Sequence, residues 1–148
     1  MSLYIPNSYQ TPNFYTDVLE EYLLSEETKV LFKAIREIIG FHDNLAERSA
    51  FISYAVFLDG KYSKDGKKLA CGCGLSRSTL TKVLCNLDRF KILVKVGKSH
   101  HSKGQRYTLN FDTDFIDWAA LEKRKQEREQ KHKEQIAKAR SMNPKIND

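Results

Sequence analysis

The stretch GLSRSTLTKVLCNLDRFKIL, residues 74 to 93, decides how the rest of the chain is read. Ser76 has the short hydroxyl side chain that closes helix N-termini by accepting a hydrogen bond from an amide two or three residues on. Leu80, Val83, Leu84 and Leu87 follow at i, i+3, i+4 and i+7, the spacing of one face of an α-helix. Advancing about 100° per residue puts Ser78, Lys82, Cys85 and Arg89 on the opposite side, with Thr81 on the flank and Arg77 and Thr79 near the start. The outward face is therefore polar and basic, and it carries no carboxylate before Asp88.

Downstream, Ile92 to Val96 is short and β-branched, Gly97 to Gly104 is polar and lysine-rich, and Arg106 to Phe111 alternates with a period of two, which predicts a hairpin with a basic tip. Upstream, residues 59–66 hold two Asp-Gly turn signals and little that can be buried, so a surface loop is expected. Ala50, Phe51 and Ile52 predict a short strand, and Ser53 caps a brief helix through Tyr54, Val56, Phe57 and Leu58. A second placement for that helix is Lys67 to Cys73, because Ala70 lies four residues before Gly74 as in the simplest helix-turn-helix pattern. Gly72 and Gly74 weaken a helix there, which favours the first placement. Further back, Val30, Leu31, Ala34, Ile35, Ile38 and Ile39 form a broad apolar stripe that predicts a helix over 26–39, with Ser25 as cap, Glu26 and Glu27 in the first turn and Gly40 as stop. Residues 1–24 read as an aromatic-rich arm with a short helical piece from Thr16 to Leu24, docked on the domain of residues 25–111. Residues 112–148 read as a charged helical tail or linker, with Phe115, Trp118 and Leu121 docking its first turns.

Length and composition suit one core: 148 residues, 41% of them hydrophobic. Charge is strongly polarised. Residues 1–60 hold four Lys/Arg and nine Asp/Glu, while residues 61–106 hold twelve Lys/Arg and two Asp/Glu, within a chain of net charge +6. A local island of positive charge concentrates polyanions and releases their condensed counterions on contact, so nucleic acid leads the partner classes. No apolar run reaches the roughly 20 residues that cross a bilayer, so no membrane association is expected. Three cysteines, Cys71, Cys73 and Cys85, without a secretion signal point to reduced thiols in the cytoplasm, and the expected nucleic-acid partner places the chain at the nucleoid.

Together these parts predict a mainly α fold with a small β-hairpin: a winged helix-turn-helix followed by a charged C-terminal helix. In that plan a recognition helix enters the major groove, and cations on the wing and the neighbouring loop contact phosphates. The groove candidates are Arg77, Ser78, Thr79, Thr81, Lys82 and Arg89. The backbone candidates are Lys61, Lys64, Lys67 and Lys68 on the loop, and Lys95, Lys98, Lys103 and Arg106 on the hairpin.

Three segments, TPNFYTDVL (11–19), IREIIGFHD (35–43) and FLDGKYSKDGKKLACGCGLSRSTLTKVLCNL (57–87), resemble the N-terminal winged-helix domain of phage and plasmid replication proteins of the replisome-organiser type. The likeness spans roughly residues 11–110. It implies origin-DNA binding, help in delivering the replicative helicase or its loader, and groove contacts from Arg77, Ser78, Thr81 and Lys82. It also places the second helix at Tyr54–Asp59 with the following loop inserted. The chain departs from the family at Asp43-Asn44, where many relatives carry a basic residue after the GFH corner.

Other chemistries lack their signatures. Cys71-x-Cys73 does not have the two-to-four residue spacing of zinc ligands, and His100 and His101 at the hairpin tip are more simply placed against solvent or phosphate. There is no P-loop, Gly-x-Ser-x-Gly or paired-carboxylate motif, so neither catalysis nor a cofactor is expected. Beside replication initiation, two functions fit the pattern: a transcriptional regulator binding an operator, and a protein-interaction module that forms, for example, a homodimer.

Overall fold

The computed structural model describes residues 11–41, 49–110 and 112–142. The chain divides into two compact units, one ending at Ile116 and one running from Asp117 to Asp148. The first ten residues and the corner at His42, Asp43 and Asn44 lie outside the described residues.

In the first unit the chain enters through a wide π-type turn, Tyr15–Leu19, and a 3-10 turn, Glu20–Tyr22. Tyr15, Leu19 and Leu23 are buried, and the Tyr15 hydroxyl donates to the Asn110 carbonyl at 3.4 Å. Helix α1 spans Ser25–Ile35. Its cap corrects the sequence expectation: Leu24, not Ser25, occupies the N-cap position, and an alkyl side chain accepts nothing. The Glu27 carboxylate substitutes, taking the Leu24 amide at 3.0 Å and the Asn86 side-chain amide at 3.3 Å, so one fully buried acid closes α1 and joins it to the element carrying Asn86. The helix also ends earlier than the predicted Ile39. It widens into a π-type turn, Arg36–Phe41, that keeps Ile38 and Ile39 buried.

The remaining elements of this unit are β1 (Ser49–Ile52), α2 (Tyr54–Asp59), β2 (Gly60–Tyr62), β3 (Lys68–Cys71), α3 (Arg77–Arg89), β4 (Leu93–His100) and β5 (Gly104–Leu109). Ser53 caps α2 as expected, accepting from the Val56 amide at 3.3 Å. Lys68–Cys71 is a strand, so the alternative helix at Lys67 to Cys73 is excluded. The fold is mixed α/β, with helix predominating over strand as expected and a small sheet; the separate β2–β3 pair is the part that the sequence did not predict. The antiparallel order is β1-β5-β4, with Ala50 opposite Tyr107 and Tyr107 opposite Lys95. Opposed residues in antiparallel strands share a face. Ala50, Ile52, Leu93, Tyr107 and Leu109 line the inner face and are buried together with Leu80, Val83, Leu84 and Leu87 of α3, which packs on β4, and Val30, Leu31, Ala34 and Ile35 of α1, which packs on α3. Phe57 meets Tyr107 edge to face at 5.8 Å. Each large apolar side chain so buried contributes roughly 1.5–3 kcal/mol.

A further correction concerns part of the loop expected over residues 59–66: Asp59 ends α2 and Gly60–Tyr62 is β2, paired with β3 in a two-stranded hairpin, while residues 63–66 form its surface turn as expected. Its strands could not be read from burial alternation because they bury almost nothing apolar. Close backbone approach holds them instead: a Cβ at Gly72 would lie 2.0 Å from the Leu58 carbonyl oxygen.

The second unit contains α4, Trp118–Met142, whose first turn is closed by Asp117 accepting from the Ala120 amide at 3.1 Å. From Gln126 to Met142 every residue is exposed, as its charged sequence predicts. Phe115, expected to dock, lies in a 3-10 turn, Thr113–Phe115, and is 72% exposed. Among the described residues no helix is long and apolar enough to cross a membrane.

Candidate nucleic-acid interface

Helix α3 presents the stripe that its sequence predicts. Arg77, Ser78, Thr81, Lys82, Cys85 and Arg89 are exposed and Thr79 is half-buried, while the four apolar residues behind them are buried. Its first turn is a hydroxyl cluster. Ser76 Oγ accepts from the Thr79 amide at 3.2 Å, donates to Thr79 Oγ1 at 2.9 Å and lies 3.2 Å from Ser78 Oγ. Thr81 Oγ1 donates back to the Arg77 carbonyl at 3.0 Å. The Tyr54 hydroxyl lies 3.0 Å from Thr81 Oγ1, and because the Thr81 proton is already committed, Tyr54 is the donor. The Arg77 guanidinium carbon sits 4.9 Å from the centre of the Tyr54 ring. Nothing in the sequence singled out Tyr54; the pairing of the first residue of α2 with the start of α3 exists only once the two helices are packed.

The tip of the β4–β5 hairpin is a built turn. His100 Nδ1 accepts from the amides of Ser102 and Lys103, both at 3.2 Å, and the His100 and His101 rings stack at 4.7 Å. Lys103 Nζ lies 5.7 Å from the centre of the Phe51 ring, and His100 meets the same ring edge-on at 6.3 Å. The strands reach further than predicted, leaving residues 101–103 as the turn. Gly104 has φ +86°, and a Cβ there would lie 2.7 Å from Ser53 Cα. That approach sets the hairpin against the β1–α2 junction.

The predicted cations separate into two groups. Lys64, Lys67, Lys68, Lys98 and Lys103 are exposed. Two others are engaged inside the fold: Lys61 Nζ lies 2.6 Å from Glu37 Oε1, and Arg106 donates through Nε at 3.1 Å and Nη2 at 2.7 Å to the buried Ser49 Oγ. Lys95 is half-buried, with its amide bonded to Asp88 Oδ1 at 2.9 Å and its ammonium 3.7 Å from Cys85 Sγ. Charge counting cannot make this distinction, because it does not say which cations a strand register turns toward a polar partner. Lys91, in the basic segment but not among the predicted contacts, has φ +62° at the end of α3.

Two groups show perturbed ionisation. Lys33 Nζ donates to Cys71 Sγ at 3.0 Å, and that hydrogen bond with the ammonium's charge holds the exposed thiol below its ordinary range. Burial pushes the Tyr107 hydroxyl well above its usual range, so it stays neutral in the core. Among the described residues no three His, Cys, Asp or Glu side chains group so as to hold a metal ion.

No known protein family, curated protein or solved structure matches this chain.

Proposed function

We propose that the first unit is a winged-helix domain that binds double-stranded DNA sequence-specifically, and that it acts in initiating replication of the phage or plasmid type. One observation carries the DNA reading: α3 buries Leu80, Val83, Leu84 and Leu87 while leaving Arg77, Ser78, Lys82 and Arg89 exposed, next to a lysine-tipped hairpin. The order β1, α2, α3, β4, β5, with the β2–β3 hairpin inserted between α2 and α3 and β1 paired to the returning strand β5, fits the winged-helix plan. On that reading α3 enters the major groove, where side chains near its N-terminus reach base edges, and Lys98 and Lys103 contact phosphates on one flank while Lys64, Lys67 and Lys68 contact them on another. Lys61 and Arg106 hold the scaffold. The replication role rests on the resemblance of residues 11–110 to replisome organisers, which bind origin DNA and help deliver the helicase.

Selection of bound duplexes from a random pool, repeated at two salt concentrations, tests the reading. The expected result is an enriched sequence. Binding should weaken with salt at about 0.9 logarithmic units per phosphate contact, hence a slope of about −4.5 if all of Lys64, Lys67, Lys68, Lys98 and Lys103 engage. Failure to retard any duplex at low salt rules out DNA binding. Repeats of the selected sequence at an origin support the replication role; a single copy upstream of the chain's own gene assigns it to transcriptional regulation.

A further inference from the structure

Three features deepen the proposed function when taken together. The Arg77 guanidinium lies over the Tyr54 ring at 4.9 Å, Tyr54 donates to Thr81 at 3.0 Å, and Thr81 donates to the Arg77 carbonyl at 3.0 Å. Tyr54 thus grips both ends of the same residue: the ring supports the Arg77 side chain, and the hydroxyl, through Thr81, supports its backbone. Arg77 is exposed, and among the described residues no carboxylate pairs with it. A guanidinium held near a ring by cation–π attraction, with no carboxylate across its donors, can still present those donors as a rigid planar fork. The base edge that matches such a fork in the major groove is guanine, through O6 and N7. The neighbouring hydroxyls are poorer readers. Thr81 has given its proton to the Arg77 carbonyl, and Ser76 has given its own to Thr79.

We infer that Arg77 reads a guanine in the bound site and that Tyr54 is the positioning residue that holds Arg77 for it. This rests on the DNA-binding reading above. It assigns a base class to one position of the site and a specificity role to a residue of α2, a helix that otherwise only supports α3.

The test is duplex selection with the wild type and with Arg77→Ala, Arg77→Lys, Tyr54→Ala and Tyr54→Phe, each checked for an unchanged melting temperature and each titrated against salt. The wild type should enrich a site with one guanine that Arg77→Ala no longer prefers, a loss of about 10- to 100-fold in discrimination at that position. Arg77→Lys keeps the charge but loses the fork, and should lose the guanine as well. Tyr54→Ala should relax the same position while leaving the salt slope at the wild-type value. Tyr54→Phe, which keeps the ring, should retain most of the preference. A guanine preference that survives Arg77→Ala or Tyr54→Ala in a protein that still selects a site overturns this inference and leaves the DNA reading standing. A wild type that retards no duplex overturns both.

Discussion

Two lysine-bearing hairpins sit next to α3 in the sequence, and different physics holds each of them. The β4–β5 hairpin belongs to a three-stranded sheet, and Leu93, Tyr107 and Leu109 fix its inner face in the core. The β2–β3 hairpin pairs only with itself and leaves Tyr62 53% and Leu69 48% exposed. Its ties are the Lys61–Glu37 ion pair, the Lys33–Cys71 hydrogen bond and the Cys73 amide bonded to the Phe57 carbonyl at 2.8 Å. A hairpin held by apolar alternation announces itself in the sequence and tolerates loss of a polar contact; one held by polar pairs and close backbone approach does neither.

The largest expected effect tests this contrast at two glycines. Gly104→Ala puts a Cβ against Ser53 Cα and the Ile52 carbonyl in a left-handed backbone, and should cost about 2–4 kcal/mol in urea unfolding. Gly66, at the turn of the other hairpin, has φ +82° but open space around it, so Gly66→Ala should cost only about 1 kcal/mol. Equal costs would mean that the approach of the β4–β5 hairpin to the β1–α2 junction does not fix its position.

Next come the cations. Replacing Lys98 and Lys103 together, or Lys64 and Lys67 together, should each flatten the dependence of DNA affinity on salt by about two units, with little change in the selected sequence. Lys61→Met should leave the slope unchanged while lowering stability by about 1–2 kcal/mol, because its ammonium faces Glu37 rather than solvent. A slope that falls with Lys61→Met would place that ammonium on DNA instead.

The β2–β3 hairpin also offers a chemical readout. Because Lys33 lowers the Cys71 thiol's pKa, thiolate forms at lower pH than in an ordinary cysteine, and alkylation of Cys71 rises earlier on the pH axis. Lys33→Met should move that curve to higher pH and slow the reaction severalfold near neutrality. An unmoved curve, followed by peptide mass spectrometry, would show that the pair does not persist in solution.

Much of this architecture was legible because its determinants are local and periodic. Ser76 and the Leu80, Val83, Leu84, Leu87 spacing define α3 and its outward face without reference to any other element, and Ser53 does the same for α2. Strand β1 was visible only as a short apolar run, since its partner β5 lies more than fifty residues away. The rest depended on tertiary placement. Ser25 has the chemistry of a cap, but Glu27 reaches back and closes the helix one residue earlier. Arg106 and Lys103 look alike in a charge count, yet the strand register gives one to Ser49 and the turn sends the other outward. Tyr54 carried no signal at all, because its role exists only in the crossing of α2 and α3.

The smallest predicted effect lies where α3 hands over to the β4–β5 hairpin. Lys91 has φ +62°, the Ile92 amide bonds back to the Leu87 carbonyl at 3.0 Å, and Lys91 itself bonds to the Asp88 carbonyl at 3.0 Å. That is a left-handed helix stop, a position that favours glycine because a Cβ costs about 1–2 kcal/mol in this conformation. Glycine's own greater freedom in the unfolded chain offsets about half of that. Lys91→Gly should therefore raise stability by about 0.5–1 kcal/mol, and because the Asn110 side chain already holds the Lys91 carbonyl at 2.8 Å, the turn itself should keep its geometry. If Lys91 serves only the turn, DNA affinity and salt slope stay at wild-type values in this more stable variant. If both fall while stability rises, the strain is retained for the charge, and the phosphate-contacting surface continues past the end of α3 toward the hairpin.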